Sequence, residues 1–311
     1  MKALTVSSSP HIRSTASTQR IMLDVLIALL PASVAGCVIF GWRALFIILA
    51  CTLSAVAAEM LFCLITKRCE TVSDLSAAVT GLILALNLPT TAEIWQCVVG
   101  SVFAVIVVKC LFGGLGCNFA NPAATGRVFL VLCFTGTIAG GAAPTIVELT
   151  SSATPLEIMS GTDIVGLPSI TDMLLGLHGG AIGEVCSLAI ILGFIYLVVR
   201  RVINFETPLI FVATVFAIAL IVTNDPTLAL YHVLSGGLLF GAVFMATDYV
   251  TTPITRTGRM IFALGCGIIT SLIRFWGTYP EGVSFAILLM NILSPYIEKL
   301  TQKRAFGGSR K

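Results

Sequence analysis

One stretch of this chain has residue types and spacing suited to work on a phosphate. Within Glu148-Leu149-Thr150-Ser151-Ser152-Ala153-Thr154-Pro155-Leu156-Glu157, Thr154 is a good helix N-cap and Pro155 suits the first helical position. Glu157 falls where the acid of a capping box belongs. A helix opening there offers free backbone N–H groups and the positive end of its dipole, both favourable to a phosphate. A hydroxyl at that spot could hold a phosphate by hydrogen bonding or carry one covalently. The plainer reading is a capped loop helix and nothing more, since S/T-x-x-E is a frequent pattern.

The elements that must position this stretch follow from composition. Of 311 residues, 57% are hydrophobic and only 11% charged, and the mean hydropathy is +1.02. A soluble domain carries about 25% charged residues, so the chain reads as an all-α polytopic membrane protein surrounded by lipid. A net charge of +3, with basic residues spread over segment ends, argues against nucleic acid as a partner. The ten cysteines show no C-x-x-C pairing and lie mostly in apolar runs, as small hydrophobes do. The three histidines, His11, His178 and His232, are scattered, and nothing points to a metal site. The first twenty residues are polar, and no small-residue cleavage signature follows the first apolar run, so that run is expected to be a retained helix.

Ten transmembrane segments are predicted, roughly 21–40, 44–66, 74–90, 94–112, 122–135, 181–200, 207–223, 230–247, 258–275 and 282–298. With both termini cytoplasmic, Lys and Arg gather on one side. The long loop 136–180, on the other side, carries Glu148, Glu157, Asp163 and Asp172 and no Lys or Arg; only Arg43 falls on the wrong face. This places Thr154 on the outer face. Asn121-Pro122-Ala123-Ala124-Thr125-Gly126-Arg127 is echoed by Thr252-Pro253-Ile254-Thr255-Arg256-Thr257-Gly258-Arg259. Leu86-Asn87-Leu88-Pro89 is echoed by Met290-Asn291-Ile292-Leu293-Ser294-Pro295. The expected organisation is therefore a first five-helix repeat (1–135), the outer loop (136–180) and a second five-helix repeat (181–311). Five being odd, the two repeats are inverted.

Ionisable groups at membrane depth are costly and mark sites by default. Arg127 and Arg259 need an anionic or carbonyl partner, or else snorkel to the cytoplasmic headgroups. Asp24, Lys109, Glu184 and Arg274 lie near segment ends, where interfacial placement is expected. Glu59 and Asp248 are the better candidates for a proton or cation path, with structural pairing as the alternative. Asn87 and Asn291 are expected to be hydrogen-bond glue at helix ends.

These motifs together resemble the D subunit of the Rnf electron-transport complex, a relative of the B subunit of the sodium-pumping NADH:quinone oxidoreductase. The resemblance covers nearly the whole chain. It rests on Ser73-Asp74 leading to Val79-Thr80-Gly81 and Leu86-Asn87-Leu88-Pro89, on Asn121 to Arg127, and on Ser152-Ala153-Thr154-Pro155-Leu156. Phe244-Met245-Ala246-Thr247-Asp248 with Pro253, and Pro280-Glu281-Gly282-Val283 leading to Leu288-Leu289-Met290-Asn291, complete it.

The resemblance implies FMN joined through its phosphate to Thr154 by a dedicated flavin transferase, with Glu148 at the acidic and Ser152 at the glycine position of the family's motif. It also implies a place in the bacterial inner membrane beside iron–sulfur and flavin subunits. There the chain would relay electrons between reduced ferredoxin or NAD(H) and its partners while Na⁺ or H⁺ moves, without being a complete enzyme alone. The quinone-reductase relative also holds a non-covalent riboflavin, whose counterpart here would lie near Asn121, Arg127 and Asp248. The rival readings are an inverted-repeat secondary transporter without a redox cofactor and a purely structural membrane subunit.

Overall fold

Helix dominates because lipid leaves backbone polar groups no partner but their own chain. The computed structural model describes residues 17–67, 72–138, 140–145, 154–160, 167–277 and 281–302. Among them there is no strand, only an isolated bridge between Ala142 and Gly180.

Two long helices open the described chain. In α1, Thr18–Phe40, the Ser17 hydroxyl accepts the Arg20 N–H at the N-terminus, and Gly41 at φ +72° turns the chain at the other end. Next come α2, Trp42–Thr66, and α3, Ser76–Leu86. The fourth, α4, Ile94–Cys110, winds with π spacing over Phe103–Cys110. Asn121 caps α5, Pro122–Cys133, accepting from the Ala123 and Ala124 amides, with Pro122 at the first turn. Two short helices follow, α6, Pro155–Ser160, and α7, Ile170–Leu175. The remaining apolar helices are α8, Ser187–Val199, α9, Glu206–Thr223, α10, Pro226–Leu234, and α11, Leu238–Met245, then α12, Arg256–Trp276, and α13, Val283–Thr301.

Helices α1, α2, α9, α12 and α13 are long and apolar enough to cross a membrane, and α10 with α11 form a sixth such unit bent by 62°. Helices α3, α4, α5 and α8 are apolar but shorter. Each of the ten predicted segments thus contains helix, while 74–90 and 122–135 are helical over too few residues to cross a bilayer as straight helices. The predicted span 230–247 is corrected: it is broken at Ser235–Gly237. The predicted span 181–200 is also corrected, since its first residues form a turn and helix starts at Ser187.

Large side chains such as Val34, Val38, Trp42 and Leu53 face outward, and Ala28, Ala32, Ala44 and Ala55 are buried. Small residues inside let helices approach closely where lipid supplies no hydrophobic drive between them. A Cβ at Gly193 of α8 would stand 2.4 Å from the Ala28 carbonyl oxygen of α1. Helix α2 packs on α3 and α4; α9 packs on α10, α11 and α12. Across the middle α1 meets α8 and α5 meets α13.

Candidate functional site

The break between α10 and α11 is built by Ser235, Gly236 and Gly237, with Gly236 at φ +63° in the left-handed region. A broken helix exposes carbonyls at one half-end and amides at the other, each calling for opposite charge. Arg274, in the last turn of α12, donates to the His232 carbonyl and to the Ser235 carbonyl at 3.0 Å. Glu281, just before α13, accepts the Gly237 N–H at 2.8 Å on Oε1. Its Oε2 accepts from Arg127 of α5. The Arg127 guanidinium also donates to Glu184 and, at 2.8 Å, to Asn87 Oδ1 at the end of α3. Two arginines and two glutamates therefore balance in charge and tie α3, α5, α12 and the entries to α8 and α13 to the broken segment.

Of the two readings of Arg127, the anionic partner is the one observed, and Glu184 and Arg274, expected near an interface, are buried with it: the three are 7%, 4% and 8% exposed. Desolvating them separately is costly, so they meet as a charge-balanced cluster, although Arg274 Nε has no hydrogen-bond partner among the described residues. Asn87 is glue as expected, also donating to the Ile83 carbonyl at 2.8 Å. Asn291 is not: it is buried with neither amide atom hydrogen-bonded. Gly237 is where backbone and carboxylate crowd most, since a Cβ there would lie 2.5 Å from Glu184 Oε1. Gly237→Ala is expected to loosen the Arg127–Glu184 pair and cost about 1–3 kcal/mol, read as a lower unfolding midpoint in detergent.

Thr154 opens α6 with the predicted capping box: its N–H donates to Glu157 Oε2 at 2.7 Å and its Oγ1 accepts the Glu157 N–H at 3.2 Å. The capping box engages the Thr154 and Glu157 N–H groups, two of the donors at this helix start. The cationic group near Thr154 is Arg127, which lines the same cavity together with His178, Glu184, Gly236 and Glu281. Glu148 and Ser152 lie outside the described residues.

A second cavity lies between the N-terminal ends of α1, α3 and α5 and the last turn of α11. Ser76, Lys109, Asn118, Asn121 and Asp248 supply its polar lining, with Val79, Ile83, Leu197 and Phe244 among its apolar walls. Asn121 Nδ2 donates to the Met245 carbonyl at 3.2 Å, so α5 starts where the π-wound end of α11 stops. Asp248 is held by the Val250 N–H at 3.4 Å and the Thr251 hydroxyl at 3.2 Å. Lys109 and Glu59, both 1% exposed, pair at 2.7 Å, and Lys109 also reaches the Ser76 hydroxyl. Glu59 is therefore paired, the alternative weighed for it, and Lys109, expected near an interface, is buried against it rather than exposed. Asp24, likewise expected at an interface, is 5% exposed and pairs at 3.1 Å with the half-exposed Arg200.

The structure brings Asn121 and Asp248 together and places Arg127 elsewhere, on the Thr154 cavity. Arg127 and Arg259 also differ in setting, since among the described residues Arg259 donates to the Ile254 carbonyl near the start of α12. Sequence reasoning missed the break at Gly236-Gly237 and the cavity-lining roles of His178, Lys109 and Glu281. The Gly-Gly pair inside an apolar run was the available signal.

An all-helical core with buried, charge-balanced helix breaks and outward apolar faces defines a multi-pass membrane protein. Residues 5–307 match the family described as NQR2, RnfD, RnfE, and the chain belongs to that family. It is 45% identical, over 98% of its length and 95% of the relative's, to the D subunit of the Na⁺-translocating ferredoxin:NAD⁺ oxidoreductase complex of Acetobacterium woodii. It is 38% identical to the D subunit of the proton-translocating ferredoxin:NAD⁺ oxidoreductase complex of Clostridium ljungdahlii, over 98% and 97% of the two chains. It is 35% identical to the D subunit of an ion-translocating oxidoreductase complex of Escherichia coli, over 97% and 98%.

Proposed function

We propose that this chain is the flavin-carrying membrane subunit of an ion-translocating electron-transport complex, with FMN esterified through its phosphate to Thr154. Electrons pass between the reduced ferredoxin or NAD(H) side and partner iron–sulfur and flavin subunits while Na⁺ or H⁺ is moved. The names of the relatives support the complex, and they differ in the ion. The observation that carries the flavin reading is the placement of Thr154: a half-buried residue at a glycine-lined cavity that also contains Arg127 and His178. A flavin phosphodiester there would be held by Thr154, the glycine backbone of the cavity and the charge of Arg127. FMN would supply electron transfer, and the protein would supply orientation and charge.

The chain is read as ten spans in two inverted five-helix repeats, with both termini cytoplasmic and Thr154 outside, and the helix contacts support the repeat. The contacts of α2 with α3 and α4 recur, five segments on, as those of α9 with α10, α11 and α12. The left-handed residues Leu75, before α3, and Gly236, before α11, correspond under the same shift. So do Lys109 and Arg274, each in the last turn of its helix. By contrast, the T-G-R likeness pairs the fifth segment with the ninth, so it is not the mark of this symmetry. A second, non-covalent flavin would be held by Asn121 and Asp248 in the other cavity, where the buried Asn118 Oδ1 has no hydrogen-bond partner; Arg127 is not in that set.

A secondary transporter is the second reading, favoured by charged groups meeting both ends of a broken segment. One experiment separates the two. The complex is purified from cells that also express the flavin transferase, beside Thr154→Ala, and its subunits are separated under denaturing conditions. The expected result is a fluorescent band for the native chain and none for the variant. Bands equally dark in both, with the transferase active on another substrate, would sink the flavin reading and leave the transporter.

A further inference from the structure

We infer that the groove where α2 and α4 begin seats a phospholipid with a primary ammonium head, of the phosphatidylethanolamine type. Its phosphate lies on Arg43, its ammonium on Glu93 and an acyl chain along the apolar wall between the two helices.

Arg43 is a charge out of place. It is the one basic residue on the outer side of the ten-span topology, where the positive-inside bias disfavours it. It has no ionic partner: the five ion pairs among the described residues include neither Arg43 nor Glu93. Yet these two exposed residues line the same open groove of about 390 Å³, with Phe46, Ile47, Ile94 and Trp95. Opposite charges that share a groove without meeting suit a ligand that carries both, an anion and a cation a few bonds apart.

The local backbone fixes which edge takes which charge. Helix α2 starts from Gly41, which has no side chain to cap the first amides. The positive end of its dipole therefore adds to Arg43 in favouring a phosphate. Helix α4 starts from Glu93, whose N–H donates to Gln96 Oε1 at 3.1 Å. The Glu93 carboxylate supplies the negative charge that an ammonium needs.

The groove also lies at headgroup level. All three tryptophans of the chain, Trp42, Trp95 and Trp276, fall at or beside the outer ends of their segments and are more than half exposed. Such residues form the aromatic belt of a membrane interface. Trp95 meets Phe134 edge-on, 5.1 Å between ring centres, which steadies one wall. One turn on from Arg43, Phe46 and Ile47 continue its side of α2 as apolar surface, a track for hydrocarbon.

The test uses the intact complex, stripped of bound lipid by detergent exchange and offered a phosphatidylethanolamine with a diazirine on one acyl chain. Irradiation followed by peptide mass spectrometry reads where that chain lay. Adducts are expected on α2 and α4 along the groove. Excess unlabelled phosphatidylethanolamine should remove them, and equal phosphatidylglycerol, which has the phosphate and no ammonium, should remove far fewer. Arg43→Gln and Glu93→Gln should each lower these adducts about fivefold, the scale of a basic residue's attraction at a membrane surface. Arg43→Lys keeps the charge and should keep most of the labelling. Both positions are exposed, so the variants are expected to assemble as the native chain does, and adducts elsewhere on the complex give the reference. Equal displacement by the two lipids, or unchanged labelling in either Gln variant, overturns the inference and leaves an ordinary lipid coat. A native groove without adducts overturns it as well, and gives this face to a neighbouring subunit.

Discussion

Replacing Arg127 with Met is expected to be among the most damaging single changes in the chain. The guanidinium holds Glu184 and Glu281 at once and also reaches Asn87, so its removal leaves two carboxylates facing each other in a buried setting. Breaking one buried ion pair by removing a single partner costs about 3–5 kcal/mol. Through the unfolding entropy of a chain this size, the loss corresponds to roughly 5–15 °C in an unfolding midpoint. Arg127→Lys should recover little, because an ammonium is a point donor and lacks the planar fork that bridges two carboxylates. Glu184→Gln added to Arg127→Met should restore part of the loss by neutralising one stranded carboxylate. Unfolding in detergent at fixed scan rate reads all three variants. A midpoint for Arg127→Met within a degree of native would show that the cluster holds nothing together.

The same residue shows how far a sequence can be read. The helical segments were legible because lipid demands long apolar runs, and the overall scarcity of charge marked the class. The capping box at Thr154 was legible because it is local, spanning four residues. The Arg127–Glu281 pair joins residues 154 positions apart, and nothing in either neighbourhood names the other. Proximity to a segment end suggested that Glu184 and Arg274 were interfacial, yet Arg274 binds the carbonyls of a helix break in another segment and Glu184 pairs with Arg127. That break was averaged into one apolar window, although Ser235-Gly236-Gly237 sits in the middle of it. For the second cavity, Asn121 and Asp248 were found from their positions at breaks, whereas Lys109 was not, because a lysine one turn from a helix end reads as a snorkelling group.

Lys109 supplies the second large effect. Its ammonium is 1% exposed and meets Glu59, also 1% exposed, at 2.7 Å. It also donates to Ser76, whose hydroxyl and amide face Asp74 Oδ1 at the start of α3. Helices α2, α3 and α4 are thereby joined by one charged contact buried inside the protein. Lys109→Met keeps the length of the side chain and removes the charge, leaving the Glu59 carboxylate without its cation at a cost again of about 3–5 kcal/mol. Glu59→Gln alone strands the ammonium instead and should cost a similar amount. The double variant Lys109→Met with Glu59→Gln strands neither charge, and two neutral groups of matching size often pack as well as the pair they replace. The double variant is therefore expected to be more stable than either single one, with a coupling of about 1–3 kcal/mol in a double-mutant cycle. Because the pair is shielded from solvent, raising the salt concentration should leave that coupling nearly unchanged. Additive effects of the two substitutions would mean that Lys109 and Glu59 act on separate partners, and the charged link between α2 and α4 would have to be abandoned.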